Sequence, residues 1–465
     1  MNVKENNPLA VEPIKKLFFK LAIPAVLAQL VNLLYNLVDR IFIGHINEVG
    51  DIALTGVGVC FPIIIVISAF SCLCGMGGAP KAAIKMGEGN NEAANKILGN
   101  CFIVTFILAI ILTIVIQLFK TPILYMFGAS DNTIIYAYDY ISIYAWGTVF
   151  VMISLGLNAF ITTQGYSKVS MTNVMIGAGV NIILDPLFIY GFNMGVKGAA
   201  IATIIAQAVS AFLVVRFLLS KKSKLKINVE SMKLDIRIIL SVMALGLSPF
   251  IMQVTESVIS ICFNTSLLKY GGEIAVGTMT ILTSLMQFAM MPLQGFAQGA
   301  QPIISYNYGA KNPNRIKEVF RLLYVICISY SALFWLVVIL FPSALISVFT
   351  TEILLIEFAS KALRIYMAVI VLFGVQIACQ QTFVSLGNAP VSLFLALLRK
   401  VVLLIPLIYI VPMFMDNKCN AVFLAEPIAD FIAVSVTAIM FYIVFRKSMN
   451  KISIKENIND NNKYI

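Results

Sequence analysis

Hydrophobic positions along the chain form twelve long apolar runs separated by short polar segments. Each run approaches or exceeds the ~20 residues that a helix needs to cross the hydrocarbon core of a bilayer. The runs cover roughly residues 17–44, 52–84, 93–119, 134–163, 169–191, 195–220, 238–268, 275–306, 316–345, 356–387, 391–414 and 420–446. Helices are the expected form, because an open sheet edge finds no hydrogen-bond partner in lipid. The pattern therefore predicts an all-α polytopic membrane protein with twelve transmembrane helices.

Local patterns recur after 222 residues, which indicates an internal duplication. DIAL (51–54) corresponds to EIAV (273–276), and Gly87 corresponds to Gly309. Further matches, some with a small slip, are Ala79-Pro80 with Gln301-Pro302, Gly165 with Gly387, Ala199 with Ala421, Pro24 with Pro249, and Pro186 with Pro406. A common offset along half the chain is hard to obtain by chance. Because each half holds an even number of spans, we expect two parallel six-helix repeats around a central cleft, an architecture of secondary transporters with substrate sites at the repeat interface.

The duplication divides the chain into two lobes. We expect an amino-terminal six-helix lobe over 1–220, a basic cytoplasmic linker over 221–237 and a carboxyl-terminal six-helix lobe over 238–446. The polar residues 447–465 are predicted to form a disordered cytoplasmic tail.

Charge is scarce and unevenly distributed. Only 12% of residues are charged and 60% are hydrophobic, whereas soluble domains are about 25% charged. Lysine and arginine concentrate in alternate loops, near residues 4–16, 81–85, 221–226, 311–317 and 446–451. This positive-inside pattern places both termini in the cytoplasm and accounts for the net charge of +11 without a nucleic-acid partner. No cleavable signal peptide is evident. The Ile, Asn and Lys bias is typical of an AT-rich bacterial genome, and we expect a multi-pass protein of the bacterial inner (cytoplasmic) membrane.

Polar side chains recur every three or four residues in several predicted spans, so each set shares one helix face. The sets are Gln29, Asn32, Asn36 and Asp39 in the first span; Asn173, Gly177, Asn181 and Asp185 in the fifth; Gln253, Glu256, Ser257, Ser260 and Asn264 in the seventh; Gln376 and Gln380 in the tenth; and Glu426 and Asp430 in the twelfth. We expect these faces to line a central cavity.

Asp39 and Asp185 place ionisable groups inside apolar runs, where a charged side chain raises the free energy of the protein in the membrane. They are either structural acids that stay neutral or hydrogen-bonded, or a cation-coupling site. A buried carboxyl group holds a proton more readily than one in water, whereas Na⁺ stabilises the carboxylate. Asn181, one turn before Asp185, offers an amide oxygen for either role, and Pro186 frees a backbone carbonyl. The residues leave H⁺ and Na⁺ open, and we expect no cofactor besides the coupling ion.

The acids of the second half occupy other positions. Opposite Asp39 and Asp185 in the repeat lie apolar residues near Ile261 and Ile405, so the scaffold is duplicated but the acids are not. This asymmetry suits a division between ion coupling and substrate contact, and Glu256 is expected to bind a substrate cation or an ion. The expected substrate contacts are Glu256, Gln253, Gln287, Gln376, Asn32 and Asn36.

For Glu426 and Asp430, the alternative to binding a substrate or an ion is a structural role in buried ion pairs. Arg399 and Lys400 lie inside the neighbouring eleventh span and can neutralise them.

The chain resembles the multidrug and toxic compound extrusion (MATE) family from Pro24 to about Arg446. The resemblance is carried by the proline-bearing first helix with YNLVDRIFIG (35–44), by the glycine- and proline-rich ends of helices two and eight, and by NIILDPLFI (181–189). It implies two six-helix bundles around a cleft that alternates between the membrane faces. It also implies export of organic-cation drugs or toxic compounds in exchange for Na⁺ or H⁺, and we expect a monomer.

The resemblance also implies site residues. A branch of the family with a cation site in the amino-terminal lobe implies Asp39, Asn181, Asp185 and Thr203, which are metal ligands if Na⁺ is the coupling ion, together with Asn158 and Tyr35. Another branch pairs an acid on the seventh helix with an Asp on the tenth. Glu256 fits the first role, but the tenth helix offers only Gln376 and Gln380, which favours an ion site in the first lobe.

Other functions are less consistent with the residues. A lipid-linked oligosaccharide flippase of the same superfamily carries anionic cargo and favours a basic cavity, whereas the first-half helices supply Asp and Asn, with Arg40 the main exception. An enzyme would need a catalytic constellation, but the chain has no HExxH motif and a single His. A gated channel would fit the duplication and the buried acids less well than alternating access does.

Overall fold

The computed structural model describes residues 7–46 and 49–461, with side chains up to residue 452. Within these residues twelve helices are long enough to cross a bilayer. This count takes the bent pair Ile353–Tyr366 and Val371–Ser385 as one span and divides a 74-residue helix at Gly272. They are α1 (Ile14–Gly44), α2 (Gly50–Gly87), α3 (Asn91–Met126), α4 (Ile134–Thr163), α5 (Ser167–Gly191), α6 (Gly195–Leu219), α7 (236–271), α8 (273–309), α9 (Pro313–Leu340), α10 (Ile353–Tyr366 with Val371–Ser385), α11 (Ala389–Met413) and α12 (Lys418–Asn461). The predicted all-α fold is confirmed.

Several helices are interrupted where the sequence weakens the hydrogen-bond ladder. Gly272 has φ 67° and ψ −161°, a conformation that glycine adopts readily because it has no Cβ atom, and it separates α7 from α8. The two parts of α10 meet at 48°. Leu187–Gly191, directly after Pro186, forms a π-helical turn at the end of α5, and Leu398–Leu404 forms another before Pro406 in α11. Such turns shift the side chains that follow them around the helix axis.

The two lobes contact each other through symmetry-related glycines. A Cβ atom on Gly87 would collide with the carbonyl oxygen of Tyr306, and one on Gly309 would collide with that of Ile84. Gly87 and Gly309, like Ile84 and Tyr306, are separated by the 222 residues of the sequence repeat. The ends of α2 and α8 therefore cross at a pseudo-two-fold axis, as expected for parallel repeats.

A second symmetric pair extends this contact into the membrane. Gly77 of α2 packs against Val242 and Gly246 of α7, and Gly299 of α8, its repeat mate, packs against Ala22 of α1. Small residues allow backbones to approach closely in lipid. The lobes are thus closed together at the end where α2, α6 and α8 finish, which we call the basic end because its loops carry the clustered lysines and arginines.

Helix α1 packs less closely away from the basic end. Between residues 26 and 42 of α1, all of which the structure describes, no side chain is fully buried. In the preceding part of α1, by contrast, Leu17, Phe18 and Leu21 are fully packed. The part of α1 that is distant from the basic end is therefore packed less closely than the part at the basic end.

The linker and the tail differ from simple cytoplasmic loops. Gln164 Oε1 accepts hydrogen bonds from the backbone N–H groups of Lys224 (2.7 Å) and Leu225 (3.0 Å), and the Leu225 side chain is fully buried, so the linker is docked on the first lobe. Helix α12 continues to Asn461, into the segment 447–465 for which disorder was predicted, and 462–465 lie outside the described residues. A helix that is already formed in the membrane can extend at little further cost in free energy. The polar composition of the tail did not indicate this extension.

Candidate functional site

Helix α5 presents Asp185 and Asn181 together. One turn apart on the same face, they form a hydrogen bond in which Asn181 Nδ2 donates to Asp185 Oδ1 at 3.0 Å. Both side chains are fully buried. The α-helix ends at Pro186, and the π-helical turn begins at the next residue. The predicted disturbance of the ladder beside Asp185 is therefore present.

Helix α6 contributes Thr203 to the same place. Thr203 Oγ1 lies 3.5 Å from Asn181 Nδ2 and donates to the carbonyl of Ala199 at 2.9 Å. Close packing brings the two helices together, because Gly177 of α5 lies directly against Ser210 of α6. The structure thus brings Asn181 and Thr203 into contact, the arrangement that the resemblance implied.

Helix α1 completes the group from across the lobe. The carboxyl group of Asp39 lies close to that of Asp185. Two carboxyl groups can share a hydrogen bond only if one of them keeps a proton, because an ionised carboxylate only accepts. The neighbouring Arg40 places its guanidinium over the ring of Phe61, 4.1 Å from the ring centre. The two acids are thus placed so that a proton or a metal ion could be shared between them.

Three side-chain oxygens of this carboxylate site, defined as Asp39, Asp185 and Asn181, lack a hydrogen-bond donor. They are Asp39 Oδ1, Asp185 Oδ2 and Asn181 Oδ1, each shielded by the surrounding protein. Buried polar atoms in folded proteins are normally paired. Carboxylate and amide oxygens are the ligands that a hard cation prefers, and a proton on either acid would also supply a donor. The site therefore has the oxygen atoms that Na⁺ or H⁺ would need in order to bind.

Asn158 lies outside the carboxylate site, whereas Tyr35 lies one turn before Asp39 and close to both acids. Asn158 Nδ2 donates to the carbonyl of Ser170 at 3.4 Å, and Ser170 precedes Asp185 by fifteen residues, ~22 Å along the helix. The structure therefore does not bring Asn158 to the acids. The hydroxyl of Tyr35 lies near Gln207 of α6, whose Oε1 accepts a 2.6 Å hydrogen bond from Ser154.

Sequence reasoning missed Gln207 and Ser154. Gln207 follows Thr203 by one helical turn, and this polar stripe on α6 was the available signal.

The second lobe holds a buried charge cluster, which consists of Glu256, Arg399, Lys400, Glu426 and Asp430. Arg399 Nε lies 2.7 Å from Asp430 Oδ1, and Arg399 Nη2 lies 3.4 Å from Glu426 Oε1. The predicted neutralisation of Glu426 and Asp430 is confirmed for Arg399. Lys400 makes its direct ion pair elsewhere, because its Nζ lies 2.8 Å from Glu256 Oε1.

The π-helical turn explains why adjacent residues find different partners. Arg399 and Lys400 both lie within Leu398–Leu404, and they reach α12 and α7 respectively. The Arg399 guanidinium also stacks on Phe373, 4.4 Å from the ring centre. The Lys400 side chain is 6% exposed, whereas that of Glu256 is 55% exposed. Glu256 therefore stands at the surface with a buried cation behind it.

The other predicted substrate contacts fall into two groups. Gln287 and Asn36 are exposed and Asn32 is half-buried, with Asn36 Nδ2 donating to the Asn32 carbonyl at 2.7 Å. Gln253 Nε2 lies 3.1 Å from Cys72 Sγ of the other lobe, and the fully buried Gln376 donates to Gln380 Oε1 at 3.0 Å. Gln253 and Gln376 are thus engaged within the protein in this conformation.

Comparison with known proteins agrees with this architecture. The MatE family model matches residues 24–187 and 249–410, one segment in each lobe. The multidrug export protein MepA of Staphylococcus haemolyticus is 24% identical over 422 residues, which cover 90% of this chain and 92% of that protein.

Solved structures show the same fold. The MATE multidrug transporter DinF-BH is 34% identical with a TM-score of 0.86, and the match covers 95% of this chain and 98% of that one. An outward-facing MATE family transporter of the MOP superfamily is 22% identical with a TM-score of 0.89, over 96% of this chain and 98% of that one. Members of this family are transporters and not enzymes. With both lobes matched, the chain belongs to the MatE family of multi-pass membrane transporters.

Proposed function

We propose that this protein exports small organic cations, including drugs and toxic compounds, in exchange for Na⁺ or H⁺. The observation that carries the proposal is the carboxylate site, in which two acids from different helices face each other and three oxygens lack donors. The names of the relatives, a multidrug export protein and a multidrug transporter, support the substrate class.

The proposed setting is the inner membrane of a bacterium, with the protein acting as a monomer. Lysine- and arginine-rich loops favour the cytoplasmic side, so the basic end faces the cytoplasm. The less closely packed part of α1 then lies toward the outside, where the cleft can release substrate and take up the coupling ion.

In the proposed cycle the coupling ion enters the open cleft and binds Asp39 and Asp185. Asp39, Asn181, Asp185 and Thr203 would hold Na⁺, whereas a proton would need only the two acids. Binding changes how α1 packs against α5, and α1 contains Pro24, which lacks a backbone donor and provides a point of bending. The movement of α1 displaces the substrate outward, and inward release of the ion resets the cleft.

On the second-lobe side, Glu256 is the proposed contact for a cationic substrate. Its carboxylate is half-exposed, while Arg399 and Lys400 are buried and occupied by acids. An anionic lipid-linked oligosaccharide would require free cations at the cleft surface, so the charge arrangement argues against the flippase function.

Proteoliposomes loaded with ethidium test the proposal. An inward Na⁺ gradient and an inward proton gradient are imposed in separate runs on the wild type, Asp39→Asn and Asp185→Asn. Asp51→Asn is the matched control, since Asp51 is an exposed acid in the first turn of α2. We expect one gradient to drive ethidium release in the wild type and the control, and both site variants to lose this release.

The gradient that works identifies the coupling ion. Gradient-driven release that persists in Asp185→Asn would contradict the assigned site, because a neutral amide can neither carry a proton nor balance Na⁺. No release from the wild type under either gradient would contradict the antiport function as a whole.

A further inference from the structure

A cavity of about 570 Å³ lies in the second lobe between α9, α10 and α12. None of its lining residues belongs to the carboxylate site or to the charge cluster. Its volume falls in the range of about 300–1,000 Å³ that is typical of small-molecule sites. The export function does not account for this cavity.

Stacked aromatic rings form an apolar wall of the cavity. Phe441 stacks on Phe320 with ring centres 4.4 Å apart and on Phe445 with ring centres 4.7 Å apart. Phe320 and Phe445 also contact each other at 5.3 Å, so the three rings hold one another in place. A surface of interlocked rings is preformed, and an apolar chain can bind to it without ordering new side chains.

Two cations lie at one end of this wall. Lys317 is in the second turn of α9 and Arg446 is near the cytoplasmic part of α12, so both lie at the basic end. Arg446 Nη1 donates to the hydroxyl of Tyr442 at 3.3 Å, which directs the guanidinium along the cavity rim. Among the residues whose side chains the structure describes, no Asp or Glu lines the cavity. It is therefore positive at the membrane surface and apolar at depth.

The cavity borders the lipid-facing surface. Tyr442 lines it and is 67% exposed, and its neighbours on α12, Ile439 and Ile443, are also exposed. In a bilayer such side chains meet acyl chains. A ligand can therefore enter sideways from the leaflet at the basic end.

We propose that this cavity binds one anionic phospholipid of that leaflet. The headgroup phosphate lies between Lys317 and Arg446, and an acyl chain lies on the rings of Phe320, Phe441 and Phe445. Basic pockets between membrane helices on the cytoplasmic side are suited to anionic headgroups. A zwitterionic lipid brings an ammonium group that the two cations repel, and an organic-cation substrate is repelled for the same reason.

Native mass spectrometry of the full-length protein, delipidated and then titrated with dioleoyl phosphatidylglycerol or dioleoyl phosphatidylcholine, tests the proposal. We expect the wild type to retain one phosphatidylglycerol in preference to phosphatidylcholine. Lys317→Gln and Arg446→Gln should each lower this preference about fivefold, the effect of one basic residue near an anionic surface. Ala438→Trp keeps both charges but fills the cavity, so it should abolish retention of the single lipid.

Lys447→Gln is the matched control, because it removes a charge next to Arg446 on α12 without altering the cavity lining. If Lys447→Gln lost the preference for phosphatidylglycerol to the same extent, the proposal would be overturned. The lipid would then be attracted by the overall charge of the basic end and not by the cavity. Equal retention of both lipids by the wild type would also overturn it. Displacement of the bound phosphatidylglycerol by ethidium would identify the cavity as a drug site and would contradict the lipid assignment.

Discussion

At the scale of single residues, Glu256 differs from the carboxylate site in having a fixed cation. Lys400 Nζ lies 2.8 Å from its carboxylate and is almost fully buried, while Glu256 itself is half-exposed. A cationic substrate that approaches Glu256 therefore competes with a charge that belongs to the protein. Lys400 should set how strongly the second-lobe wall attracts cations.

Lys400→Gln should strengthen ethidium binding. The substitution frees the Glu256 carboxylate, and screening at this half-exposed carboxylate limits the effect to about 1 kcal/mol, so the Kd should fall up to about fivefold. The measurement is ethidium fluorescence on purified protein. Adding Glu256→Gln to Lys400→Gln should return the affinity to the wild-type level or below it. An unchanged Kd in the single variant would show that Glu256 does not contact the substrate.

Arg399→Gln should destabilise the protein strongly. It leaves Glu426 and Asp430 buried without their cation, and breaking such a pair costs about 3–5 kcal/mol. Thermal unfolding monitored by circular dichroism should show a lower Tm. Glu426→Gln and Asp430→Asn, added to Arg399→Gln, should recover most of the loss. A Tm equal to that of the wild type in Arg399→Gln would mean that the acids are already neutral.

The functional acids could be predicted from the sequence more readily than the residues that form ion pairs with them. Asp39 and Asp185 were recognisable because charges are rare in apolar spans, and their helical faces followed from spacing. The pairing of Lys400 with Glu256 was not recognisable, because it joins positions 144 residues apart and depends on a π-helical turn. Helical periodicity fixes the face of a residue, but it does not fix which neighbour that face meets.

At the scale of secondary-structure elements, α5 and α11 share a departure from regular helix. Each carries a π-helical turn beside a proline, after Pro186 in α5 and before Pro406 in α11. These helices correspond in the repeat, and each also carries charged residues of its lobe. Such turns often occur at functional sites. The sequence offered the prolines as a signal but gave no indication on which side the turn would form.

Pro186→Ala should stabilise α5 and slow transport. Alanine restores the missing backbone donor, so the ladder beside Asp185 becomes regular, and a proline inside a helix costs about 3 kcal/mol. We expect a higher Tm and a lower rate of gradient-driven ethidium release. Pro122→Ala is the control, since Pro122 lies inside α3, away from the carboxylate site. Unchanged transport in Pro186→Ala would show that the turn has no part in ion release.

At the scale of the whole molecule, the conformation is defined by which end of the lobes is closed. The number of spans and the duplication followed from the sequence, because lipid imposes long apolar helices and a repeat leaves a recognisable offset. Which end is closed did not follow from the sequence. Close backbone contacts such as that of Gly77 with Gly246 join the two lobes and can be seen only in the folded structure. Alternating access requires these contacts to separate.

Cross-linking α2 to α7 should therefore stop transport. Cys72 Sγ lies 3.1 Å from Gln253 Nε2, so Gln253→Cys places two thiols near each other across the lobe boundary. A short bis-methanethiosulfonate reagent should abolish gradient-driven ethidium release, and a reductant should restore it, because the lobes can no longer part at the basic end. The wild type, with its own eight cysteines, and Gln253→Cys combined with Cys72→Ser serve as controls, and the reagent should not change the transport rate of either protein. Full transport by the cross-linked protein would mean that the lobes do not separate along α2 and α7, and the cleft would then have to open by movement of other helices.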